Sequence, residues 1–406
     1  MRARTLVAAL GTRNIARAST PLFFGGFLRS PFGTTAAAAA AATTQRASVA
    51  MPVSTEAATT TAAKTPAHPI AAVAQLRSTS DKFRNLLDVA HCAGLARSRG
   101  ASMLFLPECF GFMGESAEQT LREAEDPSRL EAAGGGGPGG ELAAALEAAV
   151  RGAAAGTAPG GTTGVPSPPV DSLLDGLRTI ARASGLWISG GGVHVSGAPP
   201  EDGSKEGRPR VYNTHVVLDA DGALRASYQK IHLFDVSIPG KVDLRESRTT
   251  APGTRLVVCN SPVGRLGVTT CYDMRFPEVY TELVGTMGAQ VLLLPSAFTV
   301  PTGAAHWHTL LRARAIENQC YVLAAAQYGR HNARRDSFGH SLAVDPWGKI
   351  LADAGGYPTA EEAETGQDDR TTPEPPSIVT AEIDLSRIDS IRQRMPIDLH
   401  RSSARF

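Results

Sequence analysis

A chain of 406 residues has room for two average domains, but Lys plus Arg (40) balances Asp plus Glu (39), which argues against a polyanionic partner such as nucleic acid. The five cysteines, Cys92, Cys109, Cys259, Cys271 and Cys320, show no C-x-x-C pairing, which disfavours a disulfide framework or a zinc site and fits a reducing compartment. The apolar stretches at 6–10 and 21–28 are too short and interrupted to span a bilayer, so no membrane partner is expected.

Residues 1–66 carry Arg2, Arg4, Arg13, Arg17, Arg29 and Arg46 among Ser and Ala, with no acidic residue before Glu56. That is the composition of an organelle transit peptide followed by a disordered Ala/Thr-rich linker, and it predicts a mitochondrial or plastid address. An internal start at Met51 would add a cytoplasmic form. The folded domain is expected over 67–400. A strand at 70–75, a helix after Asp81 carrying Phe83, Leu86, Leu87, Ala90 and Leu95, and a buried strand at 102–106 imply a right-handed parallel crossover and an α/β fold. Between about 113 and 170 the pattern gives way to acidic residues and then to a low-complexity Ala/Gly/Pro-rich run, which reads as a largely flexible surface insertion. Its glycines lack the flanking strand, helix and Lys-Ser/Thr that a phosphate loop requires.

A helix is predicted over 172–184, strands near 186–189 and 193–195, and a polar loop to Pro209. Residues 212–219 and 224–230 flank Asp221-Gly222, a hairpin signal that puts Lys230 at a strand end. A second strand pair, 255–259 and 266–270, delivers Cys271 to the end of its second member. A helix from Pro277, a strand at 291–294, a helix at 305–318 and a strand at 321–325 continue the alternation. A hairpin over 341–352, a disordered acidic loop, a strand at 377–383 and a short helix complete the prediction.

Cys271 stands where an apolar strand enters the polar turn 272–278, a place that can expose a nucleophile and offer backbone N–H groups to an oxyanion. A free thiol is only about 3% ionised at pH 7, so that chemistry needs a base or a positive charge beside it. Taken alone, Cys271 reads as an inert buried thiol. Glu108 ends the apolar run Met103-Leu104-Phe105-Leu106-Pro107, at a strand end of the kind where α/β sheets gather their ligand sites. It reads as a general base or as a cap on the following turn. Lys230, set among apolar residues, reads as a fixed ammonium that needs a carboxylate partner or as a snorkelling surface lysine. Glu246 reads as a carboxylate that orients Lys230 or as an exposed loop charge. His306 and His308, one residue apart, would project about 200° from each other on a helix and make no helical metal pair, so no metal is expected. No G-x-S-x-G elbow is present, which disfavours a serine hydrolase.

Together, Leu106-Pro107-Glu108, Lys230-Ile231-His232-Leu233-Phe234-Asp235 and Cys271-Tyr272-Asp273-Met274-Arg275-Phe276-Pro277-Glu278 resemble the signature of the nitrilase superfamily of carbon-nitrogen hydrolases. The resemblance continues through Pro295-Ser296-Ala297-Phe298-Thr299, Ala305-His306-Trp307, Gly339-His340-Ser341 and Asp345-Pro346-Trp347-Gly348. Met274-Arg275-Phe276-Pro277, Ser296-Ala297-Phe298-Thr299 and Ala325-Ala326-Gln327 are similar to the Nit branch, in particular to its enzymes acting on deaminated glutathione. The resemblance implies a four-layer α-β-β-α sandwich, a homodimer or larger homo-oligomer, and no cofactor. It implies a small-molecule amide cleaved through an acyl-enzyme on Cys271, with Glu108 as base and Lys230 and the Tyr272 backbone N–H holding the oxyanion. Glu246 would orient Lys230, and Arg275 would receive a substrate carboxylate. The implied substrate is deaminated glutathione, cut to 2-oxoglutarate and Cys-Gly. ω-Amidase or N-carbamoyl hydrolase activity are the alternatives within the superfamily, and a non-catalytic Nit-fold binding protein is the alternative outside enzymology. Two features depart from the pattern: His308 stands where many relatives carry Glu, and the insertion between Glu108 and Lys230 is long.

Overall fold

A computed structural model of the protein describes residues 67–131, 140–158, 168–200, 207–238, 242–358 and 376–403. The predicted transit peptide and linker, the glycine run at 134–137 and most of the acidic loop lie outside the described residues.

Strand β1 (Ile70–Leu76), helix α1 (Lys82–Ser98) and strand β2 (Ala101–Phe105) make the expected crossover, with β2 parallel to β1. The Asp81 carboxylate caps α1 by accepting from the Arg84 N–H at 2.9 Å, which satisfies one of the donors a helix start leaves open. Helices α2 (Ala117–Arg122), α3 (Ser128–Glu131), α4 (Gly140–Ala154) and α5 (Leu173–Ser184) follow. Then come β3 (Trp187–Ser189), β4 (Val193–Ala198), and the hairpin of β5 (Arg210–Leu218) with β6 (Leu224–Gln229). After a two-stranded ribbon, β7 (Asp235–Ile238) with β8 (Val242–Arg245), the chain builds a second sheet from β9 (Val257–Ser261), β10 (Gly264–Val268), β11 (Val291–Leu293) and β12 (Tyr321–Ala324). Helices α6 (Pro277–Thr281) and α7 (Val300–Asn318) connect its strands. The chain returns to the first sheet as β13 (Ala326–Asn332) and β14 (Arg335–Phe338), and to the second as β15 (Leu342–Val344) and β16 (Ile350–Asp353). It ends with β17 (Ser377–Glu382), α8 (Leu385–Arg394) and α9 (Ile397–Ser403).

The first sheet runs β14-β13-β1-β2-β3-β5-β4, with β17 also on β1 and β6 on β5; the second runs β16-β15-β12-β11-β10-β9. Side chains alternate across each strand, and the burial pattern shows what each face meets. Ala71 and Val73 of β1 join Met103, Val268, Val291 and Leu293 in the core between the sheets. Ala72, Ala74 and Leu76 of the same strand face a layer containing Leu86, Val89, Leu146 and Leu177 from α1, α4 and α5. On the far side, Leu292 and Val322 pack with Tyr280, Trp307 and Leu311 of α6 and α7. The result is the four-layer α-β-β-α sandwich.

The insertion departs from its expectation. Its described part is helical, and Leu142, Leu146, Val150 and Ala153 of α4 are buried. These lie at helical spacing in an Ala-rich segment of strong helix formers, so one stripe can dock while the rest faces water. The dock is on α1 at Gly94, where a Cβ would come within 2.4 Å of the Val150 carbonyl oxygen and 2.6 Å of the Ala153 Cβ. Elsewhere β7, β8, β13 and β14 were not anticipated, and α7 begins at Val300, five positions before the predicted 305.

Candidate active site

Glu108, Lys230 and Cys271 each sit just past a strand end, the first two on the first sheet and Cys271 on the second, so they meet at one end of the seam between the sheets. Glu108 is turned inward by a tight loop. Gly191, at φ +52°, packs where a Cβ would lie 2.3 Å from the carbonyl oxygens of Leu106 and Pro107, and only glycine permits that approach. The Glu108 carbonyl oxygen also accepts from Gln327 Nε2 at 3.0 Å.

The Glu108 carboxylate is buried and fully engaged: Oε1 accepts from Lys230 Nζ and from Asn213 Nδ2, each at 2.9 Å, and Oε2 accepts from the Ala297 N–H at 3.1 Å. Lys230 Nζ donates in addition to both oxygens of Glu246, at 3.0 and 2.9 Å. Glu246 is fixed in turn by the Phe234 N–H at 2.7 Å. One buried ammonium thus lies between two carboxylates. Burial works against its charge, but Glu108, Glu246 and Cys271 outweigh burial and raise Lys230 well above the ordinary lysine value. Burial likewise pushes Glu108 up, but the charge and hydrogen bond of Lys230, helped by the Cys271 thiol, hold its carboxyl below the usual range.

Cys271 opens a 3₁₀ turn, Cys271–Arg275, in the left-handed region at φ +50°, a backbone state uncommon for a residue with a side chain. The Asp273 side chain holds the turn, with Oδ2 accepting from the Thr270 N–H at 2.9 Å. Asp273 is buried and also accepts from the Tyr228 hydroxyl (2.7 Å) and the His232 N–H (3.0 Å), tying the cysteine turn to the strand end that carries Lys230. His215 adds a second tie. Its Nδ1 bonds the Thr269 carbonyl at 2.9 Å and its Nε2 the Ser189 hydroxyl at 2.7 Å; burial pushes its pKa down to about 4, so the ring is neutral. The Cys271 thiol lies beside Glu108; burial first, and then the Glu108 charge, push it above the ordinary thiol value against the pull of Lys230 and the Ala297 N–H. The Cys271 N–H goes to the Pro295 carbonyl (2.9 Å) and the Asp273 N–H to the Thr270 carbonyl (3.1 Å). Between them, the Tyr272 N–H is bonded to no acceptor among the described residues, as befits the first donors of a helical turn.

The six predicted site residues, Glu108, Lys230, Glu246, Cys271, Tyr272 and Arg275, meet here, though not equally closely. Glu108, Lys230 and Glu246 form one bonded cluster with the Cys271 thiol beside it, whereas the Tyr272 ring packs at the rim against Phe234 and Phe276. The Arg275 guanidinium lies over the rings of Tyr272 and Phe298, at 5.7 and 5.8 Å, and meets His306 Nδ1 at 3.2 Å. No carboxylate pairs with it among the described residues. Sequence reasoning missed Asn213, Asp273, the Ala297 N–H and Arg335, whose Nη2 donates to the Ala297 carbonyl at 3.3 Å while its buried Nε has no partner among the described residues. Of these only Asp273 had a local signal, since Thr270 and Asp273 have capping-box spacing.

Comparison with known proteins agrees with the fold. Residues 70–393 match the carbon-nitrogen hydrolase family. The deaminated glutathione amidase of Bos taurus is 37% identical over 334 residues, 82% of each chain. The nitrilase and fragile histidine triad fusion protein NitFhit of Caenorhabditis elegans is 38% identical over 333 residues, and this chain spans 60% of its length. Among solved structures, Saccharomyces cerevisiae Nit3, a member of branch 10 of the nitrilase superfamily, matches with TM-score 0.56 and 28% identity, over 81% of this chain and 94% of that one. The match runs from β1 into α8, through both sheets and both helical layers, and the chain belongs to the carbon-nitrogen hydrolase family.

Proposed function

We propose that the protein is an amidase that cleaves a linear amide through a thioester on Cys271. The observation that carries this reading is a buried thiol set beside a buried carboxylate that is itself bonded to a buried ammonium. In the first half-reaction the Glu108 carboxylate takes the thiol proton as sulfur attacks the amide carbon, and the proton passes to the departing amine nitrogen. In the second, Glu108 takes a proton from water, hydroxide adds to the thioester carbon, and the thiol is regenerated. The thiol is held above its ordinary pKa, which supports loss of the proton during attack. Lys230 and the Tyr272 N–H stabilise the oxyanion, and Glu246 positions Lys230.

The preferred substrate is deaminated glutathione, giving 2-oxoglutarate and Cys-Gly, the activity in the name of the Bos taurus relative. Two guanidinium groups near the cluster, Arg275 and Arg335, have no carboxylate partner among the described residues, and this substrate carries two carboxylates. The purified protein should release 2-oxoglutarate from deaminated glutathione, and Cys271→Ala should release none; equal rates from the two proteins would sink the mechanism. A panel adding 2-oxoglutaramate and an N-carbamoyl amino acid separates the ω-amidase and N-carbamoyl hydrolase alternatives. The assembly we favour is a homodimer, supported by an exposed apolar patch in which Ile316 of α7 adjoins the turn carrying Trp347. The arginine-rich, acid-poor start supports organelle import, and import of the full chain but not of a form begun at Met51 would test it.

A further inference from the structure

We propose that His308 Nε2, His340 Nδ1 and the Asp353 carboxylate form a binding site for a divalent transition cation of the Zn2+ class. The three side chains come from α7, from the turn after β14 and from the end of β16, and their ligating atoms all lie within 4.8 Å of one another. His308 Nε2 stands 2.9 Å from Asp353 Oδ2, and His340 Nδ1 stands 2.9 Å from Asp353 Oδ1. Ligands bonded to zinc at about 2.0–2.2 Å in a tetrahedron are about 3.3 Å apart, so small side-chain shifts open the cluster to an ion. Two imidazoles and one carboxylate suit Zn2+ and its neighbours better than Mg2+ or Ca2+, which prefer all-oxygen sets. The side chains are between a quarter and about a third exposed, which leaves an entry path and room for water at the fourth position.

The ligands are held from outside the cluster, as metal ligands need to be. His340 is in the left-handed region at φ +59°; its carbonyl accepts from Trp307 Nε1 and its N–H donates to the Gly355 carbonyl, each at 2.8 Å. Its ring lies against Gly356, where a Cβ would come within 2.1 Å of Nε2. Asp353 Oδ1 accepts from the Gly355 N–H at 2.9 Å, which fixes the carboxylate between the two rings. The adjacent pair His306 and His308 carried no such signal, because the partners of His308 are remote in sequence and His306 turns to Arg275 instead. None of the three residues belongs to the proposed amidase cluster, and the inference stands apart from that reading.

The test uses the full chain carrying Cys271→Ala, so that the proposed nucleophile contributes no metal affinity. After chelator treatment, calorimetric titration with Zn2+ should show one equivalent that is lost on adding either His308→Gln or Asp353→Asn. Zn2+ should raise Tm in the parent and leave both variants unmoved. Co2+ should give the visible d–d bands of a tetrahedral site in the parent alone. The proposal is overturned if Zn2+ does not bind, or if parent and variants bind the same number of equivalents, in which case the cluster is a hydrogen-bonded histidine–aspartate network only.

Discussion

Lys230 is 2% exposed and lies between Glu108 and Glu246, so removing its charge leaves two carboxylates facing each other without a cation. Breaking a buried ion pair from one side costs about 3–5 kcal/mol, and Lys230→Met should lose that much in urea denaturation. Adding Glu108→Gln should restore part of the loss, since it removes one uncompensated charge; a further loss would show that Lys230 acts mainly by packing. Glu108 also makes a prediction in which two readouts move oppositely. Its charge is one of the causes that hold the Cys271 thiol up, so Glu108→Gln should speed iodoacetamide alkylation of Cys271 at neutral pH, followed by mass spectrometry, while lowering turnover by about 10²–10⁴. Slower alkylation would instead mean that Glu108 draws the proton off the thiol before substrate arrives. The pH dependence has a definite sign: the folded-state pKa of Glu108 is depressed, so its stabilising contribution is complete above the unfolded carboxylate value of about 4.3 and is lost as pH falls through the lower folded value. The acid limb of kcat/KM should therefore lie below that of a free carboxylate. At this scale the sequence was most legible where chemistry is costly to bury. A lysine among apolar residues needs an anion if it is buried, and a glutamate ending an apolar strand stands where ligand sites gather, although a snorkelling lysine and a turn cap read the same way locally. Asn213 and Arg335 were invisible because a polar residue within a strand reads the same whether it faces solvent or a neighbouring carboxylate.

Helix α4 was hidden for a different reason. Alanine and glycine lower sequence complexity whether or not a segment folds, yet alanine is also the strongest helix former, and the three large apolar residues of α4 recur every four positions. What gives the stripe a place to dock is a remote residue, Gly94 on α1, and no reading of the insertion alone could find it. Gly94→Ala should force the helices apart at a cost of about 1–3 kcal/mol and raise hydrogen exchange in α4 more than in α5. Unchanged exchange would show that α4 tolerates the added methyl by sliding. The unexpected strands β13 and β14 have their own cause. β13 follows β12 after a single residue, Ala325, and that short step carries the chain from one sheet to the other, so the apolar run 321–326 marks one strand, while the rest of β13 is polar and reads as loop. Ser337 faces inward against His331, a polar pair that hides the usual strand signal.

At the scale of the whole molecule, the strand and helix alternation announced α/β, but the assignment of strands to two facing sheets could not be read from it. Strands covered on both faces are apolar throughout, so alternation carries no address, and the resemblance rather than the periodicity implied the sandwich. The catalytic proposal depends on that architecture, because Glu108 and Lys230 belong to one sheet and Cys271 to the other. The same architecture leaves α7 covering one outer face with Ile316 42% exposed, beside a turn that presents Trp347 at 59% exposure. A Cβ on Gly348 would lie 2.5 Å from Ile316 Cγ1, and Arg312 Nε donates to the Gly348 carbonyl at 2.9 Å, so the turn and the helix form one surface. Balanced net charge offers no long-range repulsion between two copies. The homodimer proposed above would form about a two-fold axis at this patch, which would place the same residues on both sides and double the effect of any substitution. Trp347→Glu with Ile316→Glu should therefore convert a dimer to a monomer in sedimentation equilibrium while leaving the far-ultraviolet circular dichroism unchanged. A double variant that stays dimeric would move the interface elsewhere, and a wild-type protein that sediments as a monomer would remove it.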